Sequence, residues 1–141
     1  MSTSDVWAIT PSVSTTLYRA AASISGAGAL TLLTNDAGVN GIGYKVIITS
    51  AGDDSGDTFT IVGQKVGDLT GTATTEVVTG ADTAAATSTN FYSYIQSITA
   101  SGASAGNVSI GTTGLLTTRS SNTDFAIMTL TNVALITVFC G

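Results

Sequence analysis

The stretch ITSAGDDSGDTFTIVG, residues 48–63, decides how this chain is read. It ends an alternating apolar run, breaks into glycines and three aspartates (Asp53, Asp54, Asp57), and resumes alternation with Phe59 and Ile61. The outline returns at 98–107 as ITASGASAGN, with Ile48, Thr49, Gly52 and Gly56 matched by Ile98, Thr99, Gly102 and Gly106. Glycines at those places supply positive φ or close backbone approach, the two things a compact turn needs. A strand leaves each copy, TFTIVG at 58–63 and VSIGTTG at 108–114. Each copy is therefore expected to form a β-hairpin. The second copy has Ala103, Ser104 and Ala105 where the first has Asp53, Asp54 and Ser55. The shared element is the turn, and the carboxylates read as decoration on one copy of it. Calcium takes six to eight oxygen ligands, and no glutamate closes this loop as in an EF-hand. No metal or cofactor is expected, a cation held by Asp53, Asp54 and Asp57 being the lesser alternative.

Working outward, the dominant period is two. YKVIITS puts Tyr44, Val46 and Ile48 on one face, TFTIV sets Phe59 and Ile61 apart from Thr58, Thr60 and Val62, and NVSIG sends Val108 and Ile110 one way. TTEVVTG alternates Thr75 and Val77 with Glu76 and Val78, and Glu76 is expected to face solvent. TTLYRA and ALTLLT read as further strands. NFYSYIQSITA has apolar residues at helical spacing, yet its aromatic and β-branched content makes it a strand with a bulge near Gln96. FAIMTLT and ALITVFC are apolar on both faces, which suits strands covered by a partner; Leu135, Ile136, Val138 and Phe139 are the candidate subunit interface.

The chain of 141 residues suits one domain, over 1–141, with 1–20 as an extended N-terminal arm. Charged residues make up only 9%, against about 25% in an ordinary soluble domain. Polarity resides instead in 26 Thr and 16 Ser. Hydroxyls keep a surface soluble without charge repulsion, which suits a surface that becomes buried against something. The four cations, Arg19, Lys45, Lys65 and Arg119, are scattered in a chain of net charge −5, so neither nucleic acid nor a membrane surface is an expected partner. MSTSDVWAIT lacks the basic-then-apolar order of a signal peptide, and FAIMTLTNVALITVFCG is too short and too interrupted to span a bilayer.

Reactive chemistry is scarce. Histidine is absent, so no His-based triad or ordinary zinc site can be assembled. Cys140 has no base to pair with, and Glu76 is the single glutamate where glycoside hydrolysis needs two opposed carboxylates. The chain is expected not to be an enzyme. Phe91, Tyr92 and Tyr94 form the one aromatic cluster, assigned to core packing before a sugar platform. The threonine pairs follow no constant period, which argues against an ice-binding array.

Residues 46–114 resemble virion structural proteins of tailed bacteriophages. The likeness lies in the order of five elements: ITSAG-D-SG, TFTI-G, TE-VTG, an aromatic SIT-SG strand and AGNVS-GT. The stretch IVGQKVGDLTGTATTE departs from that pattern, which often has an Asp-rich turn before the TE strand. The resemblance implies a particle component, first a capsid decoration (cement) protein on the virion's outer surface, made in the host cytoplasm. Its partners would be the major capsid protein and itself, as a homotrimer. A tail or fibre part, or a carbohydrate- or host-surface-binding module, are the alternatives. The fold expected is an all-β antiparallel β-sandwich of jelly-roll kind with eight to ten short strands.

Overall fold

The computed structural model describes residues 13–36, 42–66, 71–118 and 128–131. It is all-β, with strands β1 (Ser14–Ala22), β2 (Gly28–Ala29), β3 (Ile42–Ser50), β4 (Thr58–Lys65), β5 (Thr74–Thr79), β6 (Ala85–Ala100), β7 (Val108–Thr118) and β8 (Met128–Thr131). Every ladder is antiparallel. They form one hydrogen-bonded network in the order β1-β7-β3-β6-β4-β5, with β2 on β6 and β8 on β7. Residues 14–20, expected in an N-terminal arm, belong to β1. ALTLLT contributes only Ala29 to a strand; beyond it Leu30 and Leu32 pack against the core, and Leu30 N–H donates to Ile98 O at 2.8 Å.

The hairpins expected at the two glycine loops do not form. β3 and β4 are separated by β6, and β6 and β7 are separated by β3. Each loop therefore crosses over a strand. Glycine-rich turn chemistry fixes where a chain reverses, but which strands then pair is set by long-range packing.

Chain reach determines the shape of β6. β3 ends opposite Ala85 and β4 begins opposite Ala100, points about 50 Å apart on a straight strand at about 3.3 Å per residue. The ten residue steps from Thr49 to Phe59 span at most about 36 Å. β6 must therefore curl, and extra residues show where. Opposite β3, four steps of β6 (Phe91 to Thr87) face two (Lys45 to Ile47); opposite β4, Gln96 and Ser93 are each unpaired. Such bulges bend a strand and raise its twist. The bulge at Gln96 is where the sequence places it. Ser88, inside the first bulge, accepts from Val46 N–H at 2.9 Å and donates to Asn90 O at 2.8 Å, so the backbone groups displaced there keep partners.

The curled ladder encloses one core. Tyr18, Val46, Ile48, Phe59, Ile61, Val78, Tyr92, Ile95, Ile98, Val108 and Ile110 form a single cluster drawn from six strands. The faces read from alternation in β3, β4 and β7 are those buried. In β1, the backbone at Ser14 and Thr15 passes directly over Gly111, where any Cβ would meet the Ser14 carbonyl oxygen.

Candidate functional site

The two copies of the repeat dock on each other. A Cβ on Gly52 would lie 2.7 Å from the Ala105 carbonyl carbon, and one on Gly106 would lie 2.7 Å from Gly52 N. Both glycines are thus required by backbone-to-backbone approach. Gly102 packs against the Asp57 carboxylate, whereas Gly56 has open space around it.

The aspartates are not decoration. Asp54 is fully buried; its Oδ1 accepts from Ala105 N–H at 2.6 Å, and its Oδ2 has no partner among the described residues. Asp57 Oδ1 accepts from Ser101 Oγ at 3.1 Å. Two carboxylates of the first loop therefore bind the second, and Ala103, Ser104 and Ala105 lack carboxylates because their loop receives them. Asp53 alone stays at home. It is exposed and accepts from the Ser55 hydroxyl (2.6 Å) and N–H (3.1 Å), bonds that hold it below the usual carboxylate range. The three carboxylates turn to three different partners, and no group of three or more His, Cys, Asp or Glu placed to hold a metal occurs among the described residues.

Backbone bonds extend this junction. Ala51 N–H donates to Asn107 O (2.9 Å), Ser101 N–H to Thr58 O (2.9 Å) and Thr58 N–H to Ser101 Oγ (2.8 Å). On the other side Ser50 N–H donates to Ala84 O (2.9 Å), Asp54 N–H to Ala81 O (3.1 Å) and Thr83 N–H to Gly52 O (2.9 Å). Ser50 and Thr58, the residues flanking loop 51–57, therefore bond Ala84 and Ser101, the residues before and after β6, and the loop between them holds the curl closed. Ser104, the counterpart of Asp54, also reaches outward: its hydroxyl accepts from Ile24 N–H at 2.8 Å, anchoring the β1–β2 connection.

A second polar cluster braces the bend itself. Burial alternates along β5 so that Glu76 and Val78 face inward and Val77 is 60% exposed, the reverse of the solvent-facing Glu76 expected. The run EVV offers an apolar residue to either face, so alternation did not fix its phase. Glu76 accepts from the N–H groups of Thr89 and Asn90 (3.1 Å to the latter), from Asn90 Nδ2 (2.9 Å) and from Tyr92 Oη (3.0 Å). Burial alone would raise its pKa; these donors outweigh that and hold it below the ordinary glutamate value. Burial, then the Glu76 charge, pushes the Tyr92 hydroxyl up.

Of the aromatic cluster, Tyr92 is fully buried, Phe91 is half-buried with Lys45 Nζ 5.3 Å from its ring centroid, and Tyr94 is 43% exposed. An open pocket of about 290 Å³ lies at the β1–β2 connection, lined by Arg19, Ser23, Ile24, Ser25, Leu30 and Thr31. Arg19 shapes it by donating to the carbonyls of Ala22 (2.8 Å), Ser23 (3.0 Å) and Val108. Leu135, Ile136, Val138, Phe139 and Cys140 lie outside the described residues.

An uncharged outer face spans β5, β4 and β6. Register places Val77, Thr60 and Thr99 in one row across β5, β4 and β6, and Thr75, Val62 and Ser97 in the next. Thr58 and Thr79 complete it. All eight are hydroxyl or valine side chains, and none is buried. Such a face can be covered without desolvating a charge. No protein-family model, curated protein or solved structure compared with this chain gives a match.

Proposed function

We propose that this chain is a structural protein of a tailed-phage virion, a capsid decoration protein that binds the outer shell and bridges neighbouring capsid subunits. The observation that carries the reading is the uncharged Thr/Val face of β5, β4 and β6, beside the resemblance over residues 46–114. Its mechanism is mechanical. Hydroxyl and valine side chains have little rotamer entropy to lose and no charge to desolvate, so covering them against a capsid subunit is cheap. The curled ladder, tied at both ends of β6, presents that face on a rigid body. The capsid partner, the homotrimeric state and the virion surface location are parts of this proposal. Particles lacking the protein should lose resistance to heat and low salt relative to the parent; equal tolerance would remove the reading.

Tyr94 favours a second reading, a carbohydrate-binding module, because it is the exposed aromatic of its cluster. Glycan binding by the isolated protein, lost on Tyr94→Ala, would put that reading first. Tyr92→Ala would not serve, since Tyr92 is core.

A further inference from the structure

β5 ends the strand order, and among the described residues no strand pairs with its outer edge. At the foot of the β4–β5 ladder, Gly80 N–H donates to Asp57 O at 2.9 Å. Carried along the register, this makes Phe59/Val78 and Ile61/Glu76 the hydrogen-bonded pairs. The N–H and C=O groups of Thr75, Val77 and Thr79 therefore point away from β4. Natural edges of this kind are blunted by lysine, proline, bulges or inward charges that forbid pairing. β5 has no lysine and no proline, and its register to β4 is unbroken. Its one charge, Glu76, does point inward, but its carboxylate is already bonded to Thr89, Asn90 and Tyr92 of its own chain, so a strand added at the edge would not leave it without partners.

We propose that β5 pairs edge to edge with β5 of a second copy of this chain, antiparallel about a two-fold axis at Val77. The occupant follows from the strand's own symmetry. Its outward positions read Thr75, Val77, Thr79, the same in both directions. Antiparallel self-pairing centred on Val77 sets Val77 opposite Val77 and Thr75 opposite Thr79. All three outward peptide groups then occupy hydrogen-bonded positions, and the pairs on the outer face are β-branched on β-branched, while Glu76 of each copy stands opposite Val78 of the other. The uncharged outer face continues unbroken from one copy into the next. Two copies each of net charge −5 repel at a distance, and the edge adds no attraction of opposite charge. Salt therefore strengthens this association, whereas it would weaken one with a cationic partner. The inference stands on β5 alone and not on the virion reading.

The test is sedimentation velocity of the full chain over a range of concentrations at low and high salt, beside Val77→Lys and Val77→Pro. Val77 already exposes most of its side chain, so lysine is tolerated in the monomer while it repels its own copy across the axis. Proline removes an N–H that β4 does not use. At high concentration the wild type is expected at twice the mass of Val77→Lys, with the doubling more complete at high salt. Val77→Pro should match Val77→Lys; if proline disturbs the fold, seen by circular dichroism, the lysine variant decides. Equal masses for wild type and Val77→Lys, or a doubling that salt dissolves, would overturn the proposal.

Discussion

Of the two glycine loops, the one at 51–57 projects carboxylates, and the one at 101–107 offers the backbone N–H groups and hydroxyls that receive them. Asp54 reaches Ala105 N–H and Asp57 reaches the Ser101 hydroxyl. Ser104, standing where the first loop has Asp54, reaches Ile24 instead. The copies share a backbone outline and differ in chemistry because they are the two halves of one joint. Two identical loops meeting face to face would have set carboxylate against carboxylate, which is costly at close range. The asymmetry is thus a condition of docking, and the docked loops close the curl of β6.

The largest expected effects come from filling the contact. Gly52→Ala or Gly106→Ala drives a Cβ into backbone that cannot swing aside, so each should destabilise by about 3 kcal/mol, the upper end for overpacking. Gly56→Ala, in the same Gly-xxx-Gly pattern but in open space, should be neutral or stabilise by about 0.5 kcal/mol through the unfolded chain. Urea unfolding of the three variants reads the contrast directly, and equal losses would mean the loops do not touch.

Glu76, a carboxylate outside the repeat, separates the joint from the bend. Glu76→Ala leaves Thr89, Asn90 and Tyr92 without their acceptor and should cost about 2 kcal/mol. Its pH dependence has a definite sign. Because the folded pKa lies below the unfolded value, its stabilisation is fully present above the ordinary glutamate pKa and is lost as pH falls through the folded one. Melting temperature followed from neutral pH into the acid range should fall further in the wild type than in Glu76→Gln. A smaller effect, about 1–2 kcal/mol, is expected for Asp54→Ala, which removes one acceptor from Ala105 N–H. Asp53→Ala, whose bonds stay within its own turn, should change stability least.

Much of this was legible in the chain. Alternation identified the buried faces of β3, β4 and β7, because Tyr44, Val46, Ile48, Phe59, Ile61, Val108 and Ile110 leave no second choice of phase. The bulge at Gln96 showed as a local break in the same alternation. The repeat located both loops. What alternation cannot carry is which strands pair across a loop, so the expected hairpins gave way to crossings over β6 and β3. Nor could it carry the Asp54 and Asp57 contacts, since their partners lie in the other copy, or the phase of β5, where Val77 and Val78 suit either face. The missing carboxylates in ITASGASAGN were a signal for the docking, visible only once the two loops are set against each other.

The docked joint is tested most directly by native-state hydrogen exchange at Ala51 and Ala105, whose N–H groups bond across the two loops. Both should be protected to the level of the central strand amides of Val46 and Ile61, with protection at Ala105 lost in Asp54→Ala. Exchange of both at the rate of an open turn, unchanged by that substitution, would contradict the account.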